Sequence, residues 1–289
     1  MIHNVDYHIT DKCNLNCAAC NHFCPLVPAD TEHKSMEQIE KDLTALSKFR
    51  DHIKKVTILG GEPTLHPNFT EILYLTRKLF PKNLLEVTTN GTTYKKIGIF
   101  KKAILDNNFH MILSIYPYKE NYMEGYNEII KEFEGTDIVY QLKTPTFLTS
   151  PLTLTRKNTD DKILNCRMRG TCCQLKDEHL YICNLAAQSN YLYDAFPFLK
   201  NYIFKEGYEK ISLIDEHTTI GDIEAMVYNS IPAFCFYCHE CNRNVIMSIE
   251  EFEKSGMSPQ DGDFLERMYD KSEYAKWKKS EKKIDEWVR

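Results

Sequence analysis

Residues 11–25 read DKCNLNCAACNHFCP and hold four cysteines: Cys13, Cys17 and Cys20 spaced C-x3-C-x2-C, with Cys24 following. Three thiolates on one short loop can cap three corners of a [4Fe-4S] cube and leave the fourth iron open to an outside ligand. Zinc at the same place would take four ligands, here Cys13, Cys17, Cys20 and either Cys24 or His22. A second set lies far downstream: Cys166, Cys172, Cys173, Cys183, Cys235, Cys238 and Cys241, with no cysteine between 25 and 165. Thiols grouped in two sets, in a chain without a secretion signal, point to two metal sites rather than to disulfides. A third stretch, GGEPTL (60–65), adds a place for close approach: Gly60 and Gly61 let the backbone near a ligand, Glu62 offers an acceptor and Pro63 stiffens the turn.

These motifs sit at the ends of strands. NVDYHIT (4–10) reads as a strand that delivers the chain into the cysteine loop. Ser35 and Gln38 form a capping-box pair ahead of a helix with Met36, Ile39, Leu43 and Leu46 at helical spacing. KVTIL (55–59) is a buried strand stopped by the two glycines, and Pro67 opens a helix that Pro81 ends. LLEVTT (84–89) is a third strand, followed by Asn90-Gly91 and a helix to about Asp106. HMILSIY (110–116), a helix near 122–134 and DIVYQL (137–142) continue the alternation. Repeated β-α units predict a parallel sheet or barrel with helices outside. After about 145 the regularity stops, and a metal-stapled appendage with a hairpin around 178–187 is expected. Residues 262–289 place Phe264, Met268, Tyr274, Trp277 and Trp287 among many charges, the pattern of an amphipathic helix.

Composition narrows the partners. The 289 residues, 43% of them hydrophobic, suffice for a sizeable core, and a net charge of −5 with no basic block argues against nucleic acid. No stretch reaches the roughly 18 apolar residues of a membrane span, and the N-terminus lacks the features of a secretion signal. A cytoplasmic location follows as an expectation.

The conjunction of C-x3-C-x2-C after the first strand and GGEP after the second resembles the radical SAM enzymes, over about residues 4–145. The resemblance implies a partial, TIM-like (β/α)6 barrel over 1–150 and a C-terminal appendage of the SPASM or twitch kind over 151–260; the amphipathic pattern adds a helix over 261–289 packed on the core. It implies that Cys13, Cys17 and Cys20 hold a catalytic [4Fe-4S] cluster whose open iron takes S-adenosylmethionine. Gly60, Gly61 and Glu62, with Pro63 in the turn, would meet the methionyl amino group, and Asn90 and Ser114 the methionyl or ribose part. The position before the third cysteine is aromatic in this family and alanine here, Ala19, so Phe23 is the substitute expected near adenine. The twitch parallel assigns Cys166, Cys183, Cys235 and Cys238 to a second, auxiliary [4Fe-4S] cluster, with Cys172 as the replacement ligand. Cys172, Cys173 and Cys241 are then candidate hydrogen donors, Cys24 is a spare thiol, and Tyr116 and Tyr118 are candidates for the substrate pocket. His22 and His239 read as neighbours of the ligands. The resemblance also implies a one-electron reductant such as flavodoxin or ferredoxin.

The first strand begins within a few residues of Met1, which leaves no expected N-terminal peptide-recognition domain and favours a small-molecule or carbohydrate substrate. By resemblance to compact twitch enzymes, the expected reaction is epimerisation or oxidation of a carbinol carbon of an aminocyclitol-type compound. A peptide-modifying maturase, and a non-catalytic zinc or iron-sulfur binding protein, are the alternatives.

Overall fold

Four six-residue strands rich in β-branched and apolar residues alternate with helices: β1 (Val5–Thr10), α1 (Met36–Ser47), β2 (Lys55–Gly60), α2 (Phe69–Leu79), β3 (Leu84–Thr89), α3 (Ile97–Asp106) and β4 (Phe109–Ser114). α4 (Glu120–Glu132) and β5 (Tyr140–Lys143) complete the series. The computed structural model describes residues 1–17, 20–114, 120–136, 138, 140–143, 147–148, 158–195, 209–238 and 246–247. Cys241, His239, Tyr116, Tyr118, Ala19 and the expected C-terminal helix lie outside the described residues.

β1 to β5 are parallel and pair in chain order, β5-β4-β3-β2-β1. Alternation along each strand gives the sheet two different faces. Val5, Tyr7 and Ile9, Val56 and Ile58, Leu85 and Val87, and Phe109, Met111 and Leu113 join the core. They meet Ile39 and Leu43 of α1, Phe69 and Ile72 of α2, Phe100 of α3 and Tyr126 of α4. Each such side chain contributes about 1.5–3 kcal/mol by leaving water. All four helices contribute to this one core, as in a partial barrel and unlike a doubly wound sheet.

The opposite, inner face is polar. Register aligns Asp6 with Thr57, Thr57 with Glu86, and Glu86 with His110. The next strand to join the sheet departs from expectation. β7 (Cys173–Lys176) pairs in parallel with β1, not beyond β5, and sets Gln174 opposite Asp6. Thus the sixth parallel strand lies on the β1 side, and the sheet grows there by β8 (His179–Tyr181) and β9 (Lys210–Ser212), both antiparallel.

The hairpin is β7–β8, earlier than expected, because Asp177 and Glu178 both take left-handed φ values, 49° and 56°, in a two-residue turn. Asn184 then opens α6 (Asn184–Ala195), so residues 184–187, expected in the hairpin, are helical. Asp42 of α1 secures this turn. Fully buried, it accepts from Glu178 N (2.7 Å), Tyr7 Oη (2.7 Å), Lys34 Nζ (3.0 Å) and Gln38 Nε2 (3.0 Å). A buried carboxylate is tolerable when paired and hydrogen-bonded in this way. Ser35 caps α1 by accepting from Gln38 N, but the Gln38 side chain serves Asp42 rather than closing the capping box.

Beyond the sheet stand α5 (Asp160–Leu164) and α7 (Ile220–Asn229). α7 opens on a full capping box between Thr219 and Asp222. β6 (Phe147–Leu148) and β10 (Ile246–Met247) form a separate antiparallel pair. No helix among the described residues is long and apolar enough to cross a membrane.

Candidate functional site

The cysteine loop leaves the C-terminal end of β1 and runs directly against GGEP at the end of β2. Gly61 N donates to Thr10 O and Glu62 N to Lys12 O, each at 2.8 Å. A Cβ at Gly60 would collide with the Thr10 carbonyl oxygen, and one at Gly61 with those of Lys12 and Asp11. Because these obstacles are backbone, the two glycines are what lets the second motif dock on the first.

Glu62 is fully buried, and its carboxylate faces the chain rather than an opening. Oε1 accepts from Thr64 N (3.2 Å), Thr64 Oγ1 (2.5 Å) and Thr89 Oγ1 (2.6 Å), and Oε2 from Asn90 N (2.8 Å). Burial raises its pKa against the effect of these donors. The side chain therefore joins the ends of β2 and β3. Pro63 starts the one-turn helix Pro63–Leu65 that carries Thr64 back to it. Asn90 turns toward the cysteines: Nδ2 donates to Asn14 Oδ1 (3.0 Å) and lies 3.9 Å from Cys13 Sγ. Ser114, at the end of β4, uses its carbonyl to accept from Tyr126 Oη (2.6 Å), which also reaches the Asn90 carbonyl (3.1 Å).

Within the loop the thiols influence one another's titration. The Cys24 thiol hydrogen-bonds to both Cys13 and Cys20, and these contacts with burial push its pKa up. Cys20 is lowered to about 7, first by the Cys24 thiol and, against burial, by the backbone N–H groups of Cys24, His22 and Phe23. Burial raises Cys17, helped by Cys20 and Cys13. Phe23 takes a left-handed φ of 55° and its ring is wholly buried. It is an anchor of the loop, with no face open to an adenine in this conformation.

A chain of polar groups supports the loop from β1 and α6. His8 Nδ1 lies 3.0 Å from Asp11 Oδ1 and 2.9 Å from Gln188 Nε2, and His8 Nε2 lies 2.6 Å from His22 Nδ1. Tyr191 Oη donates to Asp11 Oδ2 at 2.5 Å. Burial, then the neighbouring His8, takes His22 down to about 3. His22 is thus a hydrogen-bonding neighbour. Asp11, Gln188 and Tyr191 carry no sequence signal, being far apart in the chain and ordinary in type.

The second cysteine set forms its own small recess, with a cavity of about 20 Å³, lined by Cys166, Cys183, Cys235 and Cys238 with Met168 and Asn184 beside them. Two buried side chains assemble it. Asn158 Nδ2 donates to the carbonyls of Cys235 (2.8 Å) and Cys238 (2.5 Å). Arg169 donates to those of Ile163 (2.7 Å), Val227 (2.7 Å) and Ser230 (2.5 Å), tying the Cys166 turn to α5 and α7. Burial, then Cys166 and Cys172, pushes Cys183 up to about 12, against two backbone N–H groups, so Cys172 is close by. Cys173 is different: it sits opposite Val5 in register, fully buried on the helix-facing side of the sheet. It cannot present a thiol to the inner face. The two cysteine sites touch through Asn184, whose Nδ2 donates to Asn21 O (3.2 Å) between Cys20 and His22. Among the described residues no group of three or more His, Cys, Asp or Glu side chains is arranged to hold a metal ion.

Comparison with known proteins places this geometry. A probable GTP 3′,8-cyclase of Pyrococcus abyssi is 32% identical over 146 residues, 48% of this chain and 45% of that protein. The antilisterial bacteriocin subtilosin biosynthesis protein AlbA of Bacillus subtilis is 38% identical over 90 residues, 31% of this chain and 19% of that one. The chain spans about half the length, or less, of these curated relatives. Among solved structures, BtrN in complex with AdoMet and 2-DOIA aligns with a TM-score of 0.48 at 13% identity, covering 81% of this chain and 84% of that one. Residues 7–165, more than half of the 289, match the Radical SAM superfamily, and the chain belongs to that superfamily.

Proposed function

We propose that this radical SAM enzyme binds its catalytic [4Fe-4S] cluster through Cys13, Cys17 and Cys20 and an auxiliary [4Fe-4S] cluster through Cys166, Cys183, Cys235 and Cys238. On this reading it epimerises or oxidises a carbinol carbon of a carbohydrate or aminocyclitol-type small molecule. What supports this reading is the chemistry of the donors, all thiols in both sets, the first on one short loop and the second lining one recess. With its cofactors bound, the first cluster supplies the electron that splits S-adenosylmethionine into methionine and a 5′-deoxyadenosyl radical, which takes a hydrogen atom from an unactivated carbon.

The chain's own residues do the positioning. Gly60 and Gly61 hold the β2 exit against the cysteine loop, and Glu62, Thr64 and Thr89 fix the Asn90 turn over it. The inner face of the sheet carries the substrate reading. Asp6, Thr57, Glu86, His110 and Gln174 share one register layer across five strands, in which Asn4 already serves Asp6 and Thr57, and Lys55 pairs with Glu86. Gln174 Oε1 is buried and has no hydrogen-bond partner among the described residues. A buried acceptor of this kind calls for a donor, and a substrate rich in hydroxyl or amino groups brings several. Cys172 is the candidate hydrogen donor among the described thiols once Cys173 is set aside. A flavodoxin or ferredoxin in the cytoplasm is the proposed reductant. A second reading, a peptide-modifying maturase, is favoured by the likeness to AlbA, whose name places it in bacteriocin biosynthesis.

Anaerobic reconstitution tests the cluster assignment. The wild type is expected to hold about eight iron and eight sulfide per chain. Changing Cys13, Cys17 and Cys20 together to Ala removes about four iron and abolishes cleavage of S-adenosylmethionine. Cleavage retained by that triple variant overturns the reading.

A further inference from the structure

α6 carries a polar stripe that packing alone does not call for. Asn184, Gln188 and Tyr191 stand at i, i+4 and i+7 and so share one face, beside the buried Leu185 and Leu192. Asn184 and Gln188 are only 3% and 1% exposed, and polar groups so far out of water cost stability unless they are bonded. All three donate to the stretch that holds the first cysteines. Tyr191 Oη donates to Asp11 Oδ2 (2.5 Å), Gln188 Nε2 to His8 Nδ1 (2.9 Å) and Asn184 Nδ2 to Asn21 O (3.2 Å). Lys176 Nζ donates to Gln188 Oε1 (3.2 Å), which fixes the Gln188 amide with its NH2 toward His8. His8 passes the contact on, its Nε2 lying 2.6 Å from His22 Nδ1. For Asn184 the reverse orientation would set two carbonyl oxygens face to face, so its NH2 stays on Asn21 although its own Oδ1 then has no partner among the described residues.

These contacts fall on both sides of the three cysteines: Asp11 precedes Cys13, and Asn21 and His22 follow Cys20. The exits of β2 and β3 hold the loop near its start, where Glu62 N donates to Lys12 O and Asn90 Nδ2 to Asn14 Oδ1. α6 reaches its far end as well. We propose that Asn184, Gln188 and Tyr191 are positioning residues that clamp both ends of residues 11–22, so that a helix of the C-terminal appendage fixes the loop at which the cofactor is cleaved. The consequence for S-adenosylmethionine rests on the assignment of Cys13, Cys17 and Cys20 given above, whereas the clamp itself does not.

The test starts with the metal-free full chain, by hydrogen exchange over residues 11–24 and by alkylation of Cys13, Cys17 and Cys20, with Cys235 and Cys238 as internal reference. Tyr191→Phe and Asn184→Ala each remove one arm of the clamp. Tyr74→Phe, which removes a hydroxyl–carboxylate bond to Asp106 between α2 and α3, controls for a general loss of stability. The two arm variants are expected to raise exchange and alkylation in the loop about tenfold with Cys235 and Cys238 at the wild-type rate, and the control to raise neither. After anaerobic reconstitution the arm variants should keep the wild-type iron content and bind S-adenosylmethionine about tenfold more weakly, a split that general unfolding does not produce. Loop exchange equal to wild type, or a rise spread evenly over the chain, overturns the clamp. Wild-type cofactor affinity in a loosened loop overturns its positioning role. Iron and cleavage retained without Cys13, Cys17 and Cys20 overturn the parent assignment instead and leave the exchange result standing, so the failures are distinguishable.

Discussion

One carboxylate joins two strand ends and, through Asn90, reaches the loop after a third. Glu62 leaves β2, receives donors from Thr64 and from Thr89 and Asn90 at the end of β3, and so sets the Asn90 amide against Asn14 and Cys13 on the loop that follows β1. Glu62→Gln keeps the shape but replaces an acceptor oxygen with an NH2 group. Whichever way the amide turns, that NH2 faces N–H or O–H groups, of which only the hydroxyls can reorient. Placing the NH2 at Asn90 N leaves two buried donors opposed, which costs about 1–3 kcal/mol. The variant is expected to melt earlier and to bind S-adenosylmethionine about tenfold more weakly or worse, while iron at the Cys166 recess is unchanged. Calorimetry and a site-resolved iron assay check this. An unaltered cofactor affinity would show that the Asn90 turn needs no such support.

Elements repeat the logic at the second site, where short segments are held by side chains rather than by long packed helices. Asn158, just before α5, bonds the Cys235 and Cys238 carbonyls at once. Asn158→Ala leaves both without this donor in a buried place, a loss of about 1–3 kcal/mol concentrated on the turn that carries two thiols. It should lose about four iron per chain and keep slow cleavage of S-adenosylmethionine without substrate. Full iron content in the variant would remove Asn158 from the assembly of the recess. Such devices explain what was legible in the sequence. The β-α alternation could be read because each strand is a continuous apolar or β-branched run, and both cysteine sets because their spacing is local. β7 could not be placed: CQLK is short and half polar, and only pairing with β1, 160-odd residues away, makes it a strand. The Asp177–Glu178 turn lacks the glycine that marks a tight hairpin, and Glu62, Asn158 and Arg169 act on partners that sequence spacing does not reveal.

At the scale of the whole molecule, the two cysteine sites are joined through Asn184 and Asn21, and β7 brings Cys172 and Cys173 to opposite surroundings within one peptide bond. That arrangement bears on how the substrate radical is resolved. Epimerisation requires a hydrogen atom returned to the opposite face of the carbon, and a thiol supplies one because its S–H bond is weak and its proton exchanges with water. Cys173 is buried against the helices in the core and is excluded from this task, whereas Cys172 is half-buried beside Cys183. Oxidation needs no donor, only a route for a second electron, and the recess lined by Cys166, Cys183, Cys235 and Cys238 is the proposed acceptor. With a carbinol substrate in D2O, an epimerase incorporates one deuterium at the inverted carbon. Cys172→Ala then stops product while 5′-deoxyadenosine still accumulates, and Cys173→Ala leaves turnover in place, with at most the modest loss of stability expected from a smaller core side chain. A ketone or aldehyde free of solvent deuterium, formed as fast by Cys172→Ala as by the wild type, assigns the protein to oxidation and leaves Cys172 as a neighbour of the auxiliary site.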